Sequence, residues 1–149
     1  MTEVLFYHLE RRPLEQVLPQ LLEKTLERGW RAVVQTGSEE RAQSLSQALW
    51  TYRDEAFLPH GSAQDGNEAL QPIYLTSDEN NPNEAQIRFF VDGASVDDVS
   101  SYERAVYMFD GNDQDAVAAA RERWKAVKAQ GHDITYWQQS PEGRWEKKA

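Results

Sequence analysis

The sequence runs to 149 residues, 40% of them apolar and 11% aromatic, which suits one domain over residues 1–149 built on a single hydrophobic core. It contains no cysteine, which excludes disulfides, thiolate metal sites and a cysteine nucleophile and is compatible with a reducing cytoplasm. The net charge of −9 argues against binding nucleic-acid phosphates over the whole surface, and no run approaches the ~20 apolar residues that cross a bilayer.

The N-terminal segment MTEVLFYHLERRP has no basic stretch ahead of its short apolar run, so it reads as a first strand rather than a signal peptide, and a soluble, cytoplasmic protein is expected. Val4 to Tyr7, with Leu9, form that strand. Pro13 stands where a helix can begin, and Leu14, Val17, Leu18, Leu21, Leu22 and Leu26 then recur at three- and four-residue spacing up to Gly29. Pro19 falls inside this pattern and is expected to kink or split the helix. Residues 31–35 (RAVVQ) make a second strand. Thr36-Gly37-Ser38 turns the chain, Ser38 can cap the next helix, and Glu39 and Glu40 suit its positive end. Ala42, Leu45, Leu49 and Trp50 line that helix's buried side.

Residues 61–71 and 78–85 are polar and read as loops, while 73–75, 87–91 and 105–109 read as strands. Asp110 to Asn112 lead into a helix over about residues 113–130, closed by Gly131. The tail, DITYWQQ and then RWEKK, forms a final strand with a short hairpin around residues 140–143. Strand and helix alternating in this order predict an α/β domain on a right-handed and largely parallel sheet.

Such a sheet invites a nucleotide site, yet the first turn, Glu10-Arg11-Arg12-Pro13, has no glycine and the second offers only Gly37-Ser38. The domain is therefore Rossmann-like without a nucleotide motif. His8, His60 and His132 lack metal-ligand spacing, so no metal or cofactor is expected. The carboxylate pairs read as solvated or helix-capping charges, and no serine sits in a nucleophile turn, so no catalytic residue is expected.

What remains is charge and aromatics. Residues 1–120 carry 21 acidic and 9 basic side chains, whereas residues 121–149 carry 4 acidic and 7 basic. On the last helix Arg121, Lys125 and Lys128 fall in one stripe, with Trp124 at its side. Tyr136, Trp137, Arg144, Trp145, Lys147 and Lys148 follow. A cationic stripe beside large aromatics suits an acidic peptide that ends in an apolar residue and a free carboxylate, which an arginine fork can clamp. Basic residues late in a helix are equally explained by its macrodipole, and Trp124, at helical spacing from Ala120 and Val127, equally fits a core. A second aromatic surface comprises Trp50, Phe57 and Pro59, which suits a protein partner or, as readily, a staple between helix and loop.

These residues carry a family resemblance. Ala48-Leu49-Trp50 followed by Phe57-Leu58-Pro59-His60-Gly61, ARERWKA over residues 120–126, the N-terminal FYHL and the Gly-His before TYWQQ together resemble the chi subunit of DNA polymerase III along the whole chain. The resemblance implies a single three-layer α/β/α domain, similar to nucleotide-binding domains but without nucleotide chemistry, and a non-catalytic accessory subunit of the polymerase holoenzyme. It implies a bridge from the clamp loader, through the psi subunit or an equivalent partner, to the acidic, phenylalanine-ended tail of single-stranded DNA-binding protein. The tail-binding arginine matches Arg121, with Trp124 at the family's aromatic position and Lys125 beside it. A basic residue that some members carry one turn earlier is Val117 here. The surface for psi, or for a helicase that competes with it, maps to Trp50 and Phe57. Nucleic acid is then met only indirectly. The alternatives are a nucleotide-dependent Rossmann-like enzyme and direct single-strand binding through Trp124 and the basic stripe.

Overall fold

The computed structural model describes residues 2–10, 14–50, 60–62, 68–96, 99–140, 142 and 144–148. The chain forms β1 (Glu3–Leu9), α1 (Leu14–Glu27), β2 (Ala32–Gln35), α2 (Glu39–Trp50), β3 (Gly61–Ser62) and β4 (Ile73–Thr76). β5 (Ile87–Phe90), β6 (Arg104–Asp110), α3 (Gln114–Ala129), β7 (Asp133–Gln139) and β8 (Trp145–Lys147) complete it. Among the described residues the strands make one sheet in the order β3-β4-β2-β5-β6-β1-β7-β8. Every pairing is parallel except β7 with β8, which is antiparallel.

The two core clusters show why the fold has three layers. Val17, Leu18 and Leu22 of α1 and Ala42, Leu45 and Leu49 of α2 pack on one sheet face with Leu5, Val34, Leu75, Phe89 and Val106. Ala120 and Val127 of α3 pack on the other face with Val4, Phe6, Phe90, Tyr107 and Phe109. Consecutive strand residues point to opposite faces, so β1 supplies Leu5 to one layer and Val4 and Phe6 to the other. The run Val4 to Tyr7 of β1 is therefore continuously apolar, as a strand buried on both sides tends to be.

Local signals in the sequence set the helix ends. The backbone N–H of Arg41 donates to Ser38 Oγ at 3.1 Å, the cap expected of Ser38. Gly29 has φ +79°, the left-handed conformation that closes α1, and the Trp30 amide donates back to the Thr25 carbonyl at 3.2 Å.

Two expectations are corrected. Pro19 does not split α1, which is one continuous element with Pro19 buried inside it. Sitting in the second turn, Pro19 forfeits only the bond to the carbonyl of Glu15, in the helix's first turn, and its ring adds to the buried face. Residues 61–71 are not loop throughout. Gly61-Ser62 pair with Tyr74 and Leu75 as the edge strand β3, and Glu68–Leu70 form one 3₁₀ turn. Glycine and serine carry no strand preference, and only the neighbouring β4 makes them one.

Candidate functional site

Two regions offer themselves, and the larger is a crevice of about 780 Å³ at the carboxyl ends of the strands. It opens where the chain leaves β1 toward β2 and leaves β6 the other way toward β7, the position where parallel sheets commonly bind ligands. Its charge, however, is wrong for a nucleotide. Glu10, Glu15, Asp92, Asp110, Asp113 and Asp115 line it, with Arg41 the one cation among the described lining residues. Arg41 is already engaged, its Nη2 2.9 Å from Glu15 Oε1 and its Nε 2.8 Å from Asp92 Oδ2. The Gly37 turn is also closed over, since a Cβ there would lie 3.3 Å from the Asp92 carbonyl oxygen. A phosphate would meet carboxylates in this crevice rather than free donors.

The second region lies on the flank of α3. Asp113 caps this helix, its carboxylate accepting from the amides of Asp115 and Ala116 at 3.0 and 3.3 Å. The alanine-rich sequence that follows favours the helix and keeps its sheet-facing side narrow enough to lie close on β6, β1 and β7. Ala120 and Val127 are buried, Trp124 is half-buried against the same core, and Arg121, Lys125 and Lys128 are exposed. The Lys128 ammonium stands 4.7 Å from the centre of the Trp124 ring. Lys125 pairs at 3.5 Å with Glu122, but both side chains are more than two-thirds exposed (70% and 77%), so the pair contributes little.

Two arginines on α3 have different surroundings. Arg123 turns toward the loop after β5 and donates to the Val96 carbonyl at 3.3 Å and to Ser95 Oγ at 2.8 Å. Arg121 has no ion-pair or hydrogen-bond partner among the described residues. Its charge is felt instead by two groups on the sheet below, His8 and Tyr136. Burial lowers the pKa of His8, the attraction of Glu10 opposes this, and Arg121 adds to the lowering. Burial raises that of Tyr136, and Arg121 opposes it.

β1 and β7 are adjacent and parallel, with Phe6 opposite Tyr136 and His8 opposite Gln138. That register brings His8 Nδ1 within 2.7 Å of the Tyr136 hydroxyl, while His8 Nε2 lies 3.2 Å from Glu10 Oε1. Glu10 is itself fixed, since Gln138 Nε2 donates to its carboxylate at 2.8 Å and its amide donates to Gln139 Oε1 at 3.0 Å. The turn after β6 presses on the imidazole, because a Cβ at Gly111 would fall 2.1 Å from its ring.

The structure thus brings Arg121, Trp124, Lys125 and Lys128 onto one helix flank and adds His8, Glu10 and Tyr136, of which only Tyr136 stood near the site in sequence. The alternation of FYHL puts His8 on the same face as Phe6, but nothing local announces that β7 will lie beside it. Trp50 ends α2; its side chain, and Phe57 and Pro59 with the rest of residues 51–59, lie outside the described residues. His60, the next residue described, is buried with Nε2 3.0 Å from the Ser46 carbonyl of α2. Among the described residues no cluster of three His, Cys, Asp or Glu side chains has the geometry of a metal site. None of the described helices is long and apolar enough to cross a membrane.

The model of the family described as "DNA polymerase III chi subunit, HolC" matches residues 1–135, a span that includes all of α3. The chain is 28% identical over 109 residues, 73% of its length, to the "Probable DNA polymerase III subunit chi" of Rickettsia prowazekii, and the match spans 66% of that relative. It is 25% identical over 120 residues to the "DNA polymerase III subunit chi" of Pseudomonas aeruginosa, covering 80% of this chain and 82% of the relative.

Proposed function

The chain belongs to the DNA polymerase III chi subunit family, and from that premise we propose that it is a non-catalytic adaptor that captures the acidic C-terminal tail of single-stranded DNA-binding protein on α3. The observation that carries this reading is Arg121, a guanidinium with no partner among the described residues, in an exposed cationic stripe beside the half-buried Trp124. An unpaired fork is free to take both oxygens of a terminal carboxylate. Trp124, with the Lys128 ammonium over its ring, offers apolar surface for the side chain that bears that carboxylate. Lys125 and Lys128 attract the acidic residues that precede it.

A second surface faces the clamp loader in this reading. Trp50, Phe57 and Pro59 receive psi or an equivalent partner, or a competing helicase, and the protein then couples that partner to the binding protein. Catalysis, metal and cofactor have no part in it, and the protein acts in the cytoplasm and reaches DNA through its partners. The acidic lining of the crevice speaks against the nucleotide-dependent enzyme.

The test is calorimetry with a synthetic acidic peptide ending in phenylalanine and a free carboxylate. Arg121→Ala should weaken binding at least about tenfold, the effect of losing a charge-assisted hydrogen-bonded pair, and amidating the peptide's C-terminus should weaken it comparably. Equal affinity of wild type and Arg121→Ala rejects the site. Binding of an oligonucleotide in place of the peptide, lost with Arg121, would establish direct strand binding instead.

A further inference from the structure

We propose that Tyr136 is a second contact for the carboxylate bound by Arg121, and that His8 decides whether its hydroxyl accepts or donates a hydrogen bond there. This rests on the tail-binding reading of α3.

The inference begins with the imidazole's two nitrogens. His8 is 9% exposed; the Tyr136 hydroxyl lies 2.7 Å from Nδ1 in a hydrogen bond, and Glu10 Oε1 lies 3.2 Å from Nε2, close enough for its charge to act although the two are not aligned for a hydrogen bond. A carboxylate beside Nε2 favours the tautomer with its proton there, because the other tautomer would set a lone pair against the anion. Nδ1 is then an acceptor, and the Tyr136 hydroxyl donates its proton inward to it. In that state the phenol turns only oxygen lone pairs outward. Beside Arg121 it can accept a hydrogen bond, but it has nothing to donate to an incoming carboxylate.

Protonation of His8 reverses the polarity. Nδ1 now carries a proton and donates it to the Tyr136 oxygen. The phenol proton is freed to turn away from the imidazole, where the charge of Arg121 is felt. The carboxylate gains a second donor, and a new positive charge lies one residue behind it. No bond other than the hydrogen bonds is made or broken, and the single proton taken up comes from solvent.

Among the described residues, the charged and titratable groups facing His8 are Glu10 just past the end of β1, Asp110 at the end of β6, Arg121 on α3 and Tyr136 on β7. An imidazole is the side chain whose ordinary range falls between about pH 8 and pH 5, and the peptide's carboxylates stay ionised there.

The two consequences of pH run in opposite directions. His8 titrates below its ordinary value of 6.5 in the folded chain, so the unfolded chain takes up the proton first and stability falls as pH drops below that value. Affinity rises over the same interval, because the bound carboxylate favours the protonated imidazole. A general acid weakening of the fold would lower both together.

The experiment is calorimetry of the full chain with the acidic phenylalanine-ended peptide at half-unit steps from about pH 8 to about pH 5, in parallel with Tyr136→Phe. Thermal unfolding of both proteins at each pH confirms that they remain folded. Wild-type affinity should rise by roughly tenfold across the interval, the effect of one added hydrogen bond to a charged group. Tyr136→Phe, which keeps the ring against Phe6 and Phe109 and removes only the hydroxyl, should flatten most of that rise. His8→Gln, as a second variant, should abolish it. Binding that is equally tight at all pH values, or a rise that survives Tyr136→Phe, overturns the inference and leaves the adaptor reading standing. A wild-type chain that binds no peptide at any pH overturns both.

Discussion

His8 is held on three sides, and each contact comes from a different stretch of chain. Glu10 approaches one nitrogen, Tyr136 the other, and the Gly111 turn meets the ring edge. The glycine is required for space rather than for an unusual backbone angle, because Gly111 is not among the positive-φ glycines. A methyl group there would lie 2.1 Å from the imidazole and 2.9 Å from the Leu9 carbonyl oxygen, which the rigid strand cannot withdraw. Gly111→Ala should therefore cost about 2–3 kcal/mol, the scale of overpacking in a close-packed core, measured by urea unfolding. Glycine to alanine at an unstrained and open position would stabilise instead, so a neutral or favourable result would show that the imidazole does not rest on this turn.

The elements around the site are held by polar as well as apolar contacts, and β5 is the clearest case. Arg88, in the middle of this strand, is fully buried with no carboxylate bonded to it, and burial pulls its pKa down. Five hydrogen bonds satisfy it. Nε and Nη2 donate to Gln35 Oε1 at 2.9 and 2.7 Å, Nη1 to the Tyr102 hydroxyl at 3.0 Å and the Asn80 carbonyl at 2.7 Å, and Nη2 also to the Asp78 carbonyl at 2.6 Å. One side chain thus ties β2, the segment before β6 and the loop after β4 to β5. Arg88→Met keeps the apolar stem but orphans two carbonyls and a buried amide, and should cost about 3–5 kcal/mol. Chemical denaturation would read this, and faster amide exchange at residues 77–81 would show that the loop has come loose. Nothing about IRFF in the sequence separates this arginine from an exposed one on an alternating strand, because its partners lie as many as 53 positions away.

At the scale of the whole molecule, charge is sorted by place. Carboxylates ring the crevice at the strand ends, and the exposed cations of α3 stand on a chain of net charge −9. That arrangement steers an acidic partner away from most of the surface and toward one flank. Because these groups are exposed, raising salt from about 0.05 M to about 0.5 M should weaken the peptide by roughly five- to tenfold through screening. Calorimetry at three salt concentrations checks this. A salt-independent affinity would mean that the contact is apolar and that the stripe is bystander surface.

The sequence by itself determined the parallel α/β character, most of the strand and helix order, the caps at Ser38 and Gly29, and the cationic stripe on α3. These follow from periodicity and turn chemistry, which act over a few residues. It also carried the family, through motifs spread along the chain. Tertiary structure alone decided that Gly61-Ser62 is a strand, that Pro19 is absorbed into a continuous helix, and that Arg123 is tied down while Arg121 has no partner among the described residues. It alone placed His8 and Tyr136 together, across 128 positions of sequence. A parallel sheet makes its neighbours through long crossovers, so which side chains face each other depends on strand order and register. Those are fixed only when the two core layers close, and no local pattern encodes them.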